Sequence, residues 1–170
     1  MSRNRRKEET FRVIRFYGLV LLVVLLDQLV KFSVLRTFTE GQSVPVIPEV
    51  FHLTLVFNHG IAFGLFQEHG AFLLILITVS LIFLVSAYRF LSGQGTAVRT
   101  AMALIIGGAI GNWIDRLRVH AVVDYLDFRV WPVFNLADSA ITVGVVIYLW
   151  AAFRGPQKQH SGSGAPSAGT

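Results

Sequence analysis

Cysteine is absent from this chain of 170 residues. Its absence excludes disulfide bridges, thiolate metal sites and a cysteine nucleophile. Charged residues are also scarce, since they make up 15% of the chain against 54% for hydrophobic residues. A composition this apolar excludes an ordinary soluble domain and, still more firmly, a disordered chain.

Patterns that would indicate other kinds of catalytic site are missing as well. The histidines show no HExxH spacing, so a zinc site is only a minor alternative. No GxSxG sequence is present, which makes Ser139, beside Asp138 and downstream of His120, a weak candidate for a serine triad. Carboxylates are therefore the main candidates for catalysis, and we expect no metal ion and no other cofactor.

What the sequence does contain is four apolar runs close to the length of about 20 residues that a spanning helix needs. They are residues 16–35, 71–90, 97–114 and 136–153. We predict an all-α membrane protein with four transmembrane helices. Residues 1–154 are expected to form a single domain, and the Gly/Ser/Pro-rich residues 155–170 a disordered tail.

Basic residues are concentrated on one side of this predicted topology. Ten of the fifteen lysines and arginines lie ahead of the first run, at the ends of the connection between the second and third runs, or after the fourth run. The positive-inside rule then places both termini in the cytoplasm. Because these charges follow the topology, the net charge of +5 does not indicate a nucleic-acid partner.

Two long connections, residues 36–70 and 115–134, lie on the opposite side. Apolar and polar side chains alternate along residues 51–57, which predicts a half-buried strand. In the third run Gly107 and Gly111 are four residues apart, and this spacing predicts close helix packing as the role of both.

Polar side chains at membrane depth are costly, so each one indicates a function or a specific partner. Asp27 and Lys31 lie four residues apart in the first run, with the acid first, and this order favours an ion pair within the helix. The pair either reduces the cost of burying two charges or orients other groups at a site.

Asn112, Asp115 and Arg116 share one helical face at the end of the third run. A structural role is a serious alternative to a functional one here. Asp115 and Arg116 are suited to an ion pair at the membrane boundary, with the cation near the helix C-terminus, where a positive charge is favoured.

Asn135 and Asp138 begin the fourth run with the spacing of a helix N-cap and an acid at the third helical position. Capping accounts for Asn135, but less well for Asp138, because an acid in the first turn is normally left in water. Asp124 has apolar neighbours on both sides in the second connection. The thirteen residues between Asp124 and Asp138 are enough for a chain reversal that brings the two carboxylates together.

Asp124 and Asp138 form the predicted catalytic pair. Two carboxylates held close together cannot both ionise easily, so they share one proton and titrate as a unit. The ionised member can accept a proton from water while the protonated member polarises a carbonyl group. This is the chemistry of an aspartic protease.

Two other functions would use the same polar residues. Intramembrane carboxylates can carry protons in a proton- or ion-coupled transporter, although no internal repeat of the kind found in many transporters is present. Alternatively, the polar cluster only holds helices together, as in an assembly scaffold. Flux into reconstituted vesicles would indicate a transporter, and loss of folding in Asp→Asn variants would indicate a scaffold.

Five short motifs follow one another along the chain. They are DQLVK (27–31), NHGIAFG (58–64), GGAIGNWIDR (107–116), VVDY (122–125) and FNLAD (134–138). In this order, and with four predicted spans, they resemble the lipoprotein signal peptidase (signal peptidase II) family of bacterial membrane aspartic peptidases. The resemblance covers residues 15–153, and Tyr125 and Trp131 keep an aromatic ring where the family commonly has phenylalanine.

The resemblance implies which residues carry the activity. The catalytic aspartates of the family fall on Asp124 and Asp138. The residues expected to bind substrate or to support the site are Asn58, Gly60, Asn112, Asn135, Asp115, Arg116, Asp27 and Lys31.

The resemblance also implies the reaction, which is removal of the signal peptide from a diacylglyceryl-modified prolipoprotein by a cut just before the lipidated cysteine. It implies a small extracytoplasmic β-sheet around residues 51–57, and a site near the outer face of the bacterial cytoplasmic membrane. Residues 58–64 are expected to contact substrate and to close over it. The expected partners are the prolipoprotein, membrane lipid and a globomycin-type inhibitor, with no nucleic acid, and we expect a monomer.

Overall fold

The computed structural model describes residues 3–60, 70–91 and 95–154. Within these residues, four helices are long and apolar enough to cross a membrane. They are α1 (Arg3–Thr37), α2 (Gly70–Leu91), α3 (Thr96–Val119) and α4 (Leu136–Phe153). The predicted membrane fold with four spanning helices is therefore confirmed. Residues 61–64 of the NHGIAFG motif and the predicted tail lie outside the described residues.

Two of the helices extend beyond the apolar runs that predicted them. α1 begins at Arg3, well ahead of residue 16, and α3 continues past residue 114 to Val119. At about 1.5 Å per residue, α1 is about 52 Å long, which exceeds the thickness of a hydrocarbon core of about 30 Å. Hydropathy marks only the part of a helix that lies in lipid, so the polar ends gave no signal.

A three-stranded antiparallel sheet lies at one end of the bundle. Its strands are β1 (Ser43–Ile47), β2 (Phe51–Asn58) and β3 (Val122–Asp127), in the spatial order β1-β2-β3. The strand predicted over residues 51–57 is confirmed as β2. The small sheet expected around it is present, and it includes one strand from a second part of the chain.

That third strand comes from the connection between α3 and α4. Five of the six residues of β3 are buried, so no alternation of apolar and polar side chains marks it as a strand. Asp124 therefore lies in a strand, where the sequence indicated only a connecting segment. The pairing of β3 with β2 sets Asp124 opposite Val56.

The core has two parts, with α3 at the centre of the bundle, in contact with α1, α2 and α4. The cluster between the helices contains Phe16, Val98, Met102, Ala103 and Ile106. The cluster that joins α1 to the sheet contains Val34, Leu55, Val123 and Tyr125. The second cluster fixes β3, and with it Asp124, against the end of the helical bundle.

Glycines let α3 approach its neighbours closely. A Cβ built on Gly108 would meet the carbonyl oxygen of Ala137 and would lie 2.8 Å from Cγ1 of Ile141, both on α4. A Cβ built on Gly107 would lie 2.9 Å from the Cβ of Val23 on α1. Close packing is therefore the role of Gly107, as its spacing predicted.

Gly108→Ala is expected to destabilise the protein, because the new methyl group overlaps a backbone oxygen that cannot rotate away. Overpacking of this kind costs about 1–3 kcal/mol. Thermal unfolding in detergent should show a lower Tm. Gly18→Ala in α1 is the matched control, because nothing lies within 4 Å of its added Cβ and alanine favours a helix. Equal Tm values for the two variants would contradict the packing role of Gly108.

Candidate active site

Asp124 and Asp138 reach the site from different elements and are joined there by one residue. Asp124 lies on β3 and is 2% exposed, while Asp138 lies in the first turn of α4. Nδ2 of Asn135 donates to Oδ1 of Asp124 at 2.7 Å. The backbone N–H of the same asparagine donates to Oδ2 of Asp138 at 3.2 Å. Asn135 thus connects both predicted catalytic carboxylates.

Asn135 is also the N-cap of α4, as its position predicted. Its Oδ1 accepts a hydrogen bond from the backbone N–H of Asp138 at 2.9 Å, which completes a capping box. Capping and contact with Asp124 therefore use opposite ends of one amide. The phenolic oxygen of Tyr125 accepts from the N–H of Leu136 at 3.2 Å, which satisfies a further free donor at this helix start.

Asn112 on α3 provides a second connection between the carboxylates. Its Nδ2 donates to Oδ1 of Asp138 at 2.7 Å, and its Oδ1 accepts from Nδ2 of Asn135 at 3.0 Å. Nζ of Lys31 donates to the same Oδ1 at 2.9 Å. Oδ1 of Asn112 thus accepts two hydrogen bonds while its Nδ2 donates one. The side-chain amide therefore has one orientation that satisfies all three partners.

Asn58, at the end of β2, and Arg116, on α3, form another side of the site. Nδ2 of Asn58 donates to Oδ2 of Asp124 at 3.0 Å, and its Oδ1 accepts from the N–H of Gly60 at 3.1 Å. Nη2 of Arg116 donates to the carbonyl oxygen of Gly60 at 2.8 Å. Gly60 is thereby held by both its N–H and its C=O.

A buried ion cluster supports these residues. Nζ of Lys31 lies 2.9 Å from Oδ2 of Asp27 and 2.7 Å from Oδ2 of Asp115, and all three side chains are less than 5% exposed. Asp27 also accepts from the N–H of Ala137 at 3.0 Å, and Asp115 accepts from the N–H of Val123 at 3.2 Å. The cluster therefore ties α1 and α3 to the start of α4 and to β3.

The partner of Asp115 differs from the one considered from the sequence. Its ion pair is with Lys31 of α1, whereas Arg116 binds the backbone of Gly60. Neighbouring residues on a helix point in different directions, so Asp115 and Arg116 reach different parts of the site. The ion pair between Asp27 and Lys31 within α1 is present as predicted, and it is shared with α3.

All ten residues predicted for the site belong to one continuous network of hydrogen bonds and ion pairs. Two further contributors were not identified from the sequence. Nε2 of Gln28 donates to Oδ1 of Asp115 at 3.0 Å and to Oδ2 of Asp27 at 3.2 Å. Gly111 was expected to serve helix packing alone, but a Cβ there would lie 2.5 Å from Oδ2 of Asp27. It therefore leaves room for a carboxylate. The sequence signal that could have identified Gln28 is its position, as a polar residue directly beside Asp27.

A cavity of about 780 Å³ opens beside the two aspartates. Both carboxylates line it, together with side chains from β2, α3, α4 and the segment before α4. The lining residues are Val56, Phe57, Asn58, His59, Gly60, Asn112, Arg116, Val122, Asp124, Trp131, Pro132, Val133, Phe134, Asp138, Ile141 and Thr142. The wall formed by residues 131–134 was not predicted, because nothing local in the sequence shows which loop faces the site.

Electrostatics distinguish the two aspartates of β3. Burial, and then the nearby charge of Asp138, raises the pKa of Asp124 to about 7, although hydrogen bonds from Asn58 and Asn135 oppose the rise. Asp127 behaves differently: burial favours its neutral form, but hydrogen bonds from Arg129 and Thr54 hold its pKa below the ordinary value. Asp124 is therefore suited to hold a proton near neutral pH, and Asp127 is a structural carboxylate of the sheet.

Comparison with known proteins identifies the family. A family model for signal peptidase (SPase) II matches residues 19–154. The lipoprotein signal peptidase of Halothermothrix orenii is 48% identical over 79% of this chain and 94% of its own length. That of Burkholderia mallei is 40% identical over 91% of this chain and 96% of its own length. The chain belongs to the signal peptidase II family.

Solved structures support the same assignment. One, described as a bacterial membrane enzyme structure determined by the in meso method at 2.3 Å resolution, is 32% identical and superposes with a TM-score of 0.75. The match covers 82% of this chain and 88% of that one. A second structure of the same description at 1.9 Å resolution gives a TM-score of 0.73. As a member of the signal peptidase II family, this chain is a multi-pass membrane protease.

Lys31→Met is expected to destabilise the protein by about 3–5 kcal/mol, because it leaves Asp27 and Asp115 buried without a cation. Unfolding monitored by intrinsic fluorescence in mixed micelles measures the loss. Arg12→Met is the matched control. It removes an ion pair of the same helical spacing with Glu8, but both of those side chains are more than half exposed. Such a pair contributes little, so this variant should unfold like the parent protein.

Proposed function

We propose that this protein is an aspartic endopeptidase that removes the signal peptide from diacylglyceryl-modified prolipoproteins by cutting just before the lipidated cysteine. Asp124 and Asp138 are its catalytic residues. The observation that carries the proposal is that two carboxylates, joined through Asn135 and Asn112, line one cavity at the sheet end of the bundle. The names of the relatives, which are lipoprotein signal peptidases, supply the substrate class.

The chemistry follows from a proton shared by the pair. A water molecule in the cavity gives a proton to the ionised carboxylate and attacks the peptide carbonyl, while the protonated carboxyl hydrogen-bonds to the carbonyl oxygen. The tetrahedral intermediate then breaks as a carboxyl returns a proton to the leaving nitrogen. Asn58, Asn112 and Asn135 hold both acids in place before substrate arrives, so little reorganisation is needed during the reaction.

The remaining residues have supporting roles in this proposal. Arg116 orders Gly60 at the cavity wall and adds positive charge beside the dyad. Lys31 with Asp27 and Asp115 holds α4 and β3 in register. A globomycin-type cyclic peptide would occupy the same cavity and place a polar group against the two aspartates. The enzyme is proposed to act as a monomer in the lipid bilayer.

Membrane orientation is also part of the proposal. Four spans put both termini on one side, and the basic residues near the termini favour the cytoplasm. The sheet and the dyad lie at the other end of the bundle, near the outer face of the bacterial cytoplasmic membrane. The lipid-bearing cleavage site of an anchored precursor lies at the same depth, where the cavity is.

The transporter alternative finds little support in the described part of the chain. The carboxylate that lies deepest in a spanning helix is that of Asp27. It is fully buried and engaged by Lys31, Gln28 and the N–H of Ala137. A group held by this many partners is poorly suited to repeated proton exchange.

Asp124→Asn and Asp138→Asn should each reduce cleavage of a diacylglyceryl-modified precursor by about 10³-fold or more, because either change removes the shared proton site. Both variants should remain folded, since asparagine keeps the shape of the side chain and loses only one of the two hydrogen bonds that each carboxylate accepts. Cleavage is measured by gel shift, and folding by Tm in the same detergent. Asp127→Asn, on the same strand but bonded to Thr54 and Arg129, is the matched control and should retain activity. Full turnover by a correctly inserted Asp124 or Asp138 variant would refute its catalytic role, and unfolded variants would favour a scaffold.

Activity is expected to fall as the pH rises through about 7, the pKa of Asp124. Below that pH the pair holds the proton that polarises the carbonyl, and above it both carboxylates ionise. A plot of log kcat/KM against pH, which reports the pKa values of the free enzyme, should therefore bend downward near neutrality. Asn58→Ala removes a hydrogen bond that favours the ionised form, so it should move the bend to higher pH. A profile that stays level well above neutrality would contradict this assignment.

Orientation can be tested directly because the chain has no cysteine of its own. Val130→Cys places a thiol on a side chain that is 91% exposed at the sheet end. An impermeant maleimide added to intact cells should label it, because this end is proposed to face outward. Glu8→Cys, at a side chain that is 70% exposed near the N-terminus, should be labelled only after the cells are opened. The reverse pattern would invert the proposed topology.

A further inference from the structure

The cavity extends along α4 past Asp138 to Thr142. Thr142 lines the cavity together with Ile141 and Asp138. It lies four residues after Asp138, so it shares the same face of α4, about 6 Å further along the helix axis. Thr142 is exposed, and it lies one helical turn beyond the carboxylate-bearing part of the site.

The hydroxyl of Thr142 has no hydrogen-bond partner within the described residues, and unlike the other such hydroxyls, those of Ser86 and Thr100, it belongs to a residue that lines the cavity. Helical serines and threonines can donate to the carbonyl four residues earlier. Five hydroxyls here do so, at 2.7–3.0 Å: Ser33, Thr37, Thr78, Ser80 and Ser139. Thr142 makes no such bond, so its donor is available to a group in the cavity.

An available hydroxyl at this depth needs an acceptor. Substrate in the cavity displaces water from this hydroxyl, and leaving a polar group unpaired in an apolar environment costs free energy. A substrate that reaches the dyad brings carbonyl oxygens with the same need. Extended backbone next to the scissile bond leaves its carbonyls unpaired, and the diacylglyceryl group carries two ester carbonyls. The hydroxyl of Thr142 and a carbonyl of the substrate become hydrogen-bond partners when substrate is bound.

We propose that Thr142 is a substrate-binding residue whose hydroxyl donates a hydrogen bond to a substrate carbonyl one helical turn beyond the dyad. This inference rests on the proposed function. It adds a binding position outside the ten-residue network, one helical turn beyond Asp138 along α4. The contact is made in the bound state and is retained in the transition state, so it lowers KM without raising kcat.

Thr142→Val removes the hydroxyl and keeps the branched shape, and Thr142→Ser keeps the hydroxyl. With a diacylglyceryl-modified precursor in mixed micelles, the valine variant should show a KM about three- to tenfold higher at unchanged kcat, which is the effect of losing one hydrogen bond. The serine variant should keep the parent KM. Ser80→Ala on α2, whose hydroxyl is paired with the carbonyl of Leu76, is the control and should not change KM.

A second substrate identifies the acceptor. A precursor with ether-linked alkyl chains has no ester carbonyls but the same peptide backbone. If the valine variant loses its KM penalty with this substrate, the acceptor is an ester carbonyl. If the penalty persists, the acceptor is a peptide carbonyl. Either result supports the proposal.

Two outcomes would overturn it in distinguishable ways. An unchanged KM in Thr142→Val, with normal cleavage by the parent protein, would refute the role of Thr142 and leave the proposed function intact. Failure of the parent protein to cleave any lipid-modified precursor would refute both. A fall in kcat with a lower Tm in the valine variant, at unchanged KM, would assign Thr142 a structural role and would also overturn the proposal.

Discussion

One buried ammonium group holds this site together. Lys31 lies between the carboxylates of Asp27 and Asp115 and also donates to Asn112. Its partners bind the first turn of α4 and the start of β3, which are the two elements that carry the dyad. Charges this deeply buried are tolerated only when they are paired and hydrogen-bonded, so the arrangement of the three helices and the strand is strongly specified.

The two acids of the proposed catalytic dyad have similar chemistry but different supports. Asp124 is fixed by sheet pairing and by amides from Asn58 and Asn135, whereas Asp138 belongs to the capping box of a helix. Rigid elements therefore present both carboxylates to the cavity. The amides of Asn58 and Asn135 favour the ionised form of Asp124, while burial and the charge of Asp138 oppose it. The balance raises the pKa of Asp124 to about 7.

The four spans could be predicted from the length of the apolar runs, and the polar residues of α1, α3 and α4 could be predicted because charge inside such a run is costly and therefore conspicuous. Asn58 and Gly60 were expected only from the family resemblance. Strand β2 was visible through its alternating side chains, but β3 was not, because it is buried on both faces. The partner of Asp115 could not be predicted, since it lies on α1, far away along the chain. The cavity wall at residues 131–134 and the space that Gly111 leaves depend on tertiary contacts, which no local pattern reveals.

Asn135 performs two tasks with one side chain, since Oδ1 caps α4 and Nδ2 binds Asp124. Serine or aspartate would keep the cap, but neither offers an amide donor to the strand. Substitution at this position is consequently restricted on two independent grounds, the cap of α4 and the hydrogen bond to Asp124. Only a side chain that carries both an acceptor for the N–H of Asp138 and an amide donor for Asp124 meets both requirements.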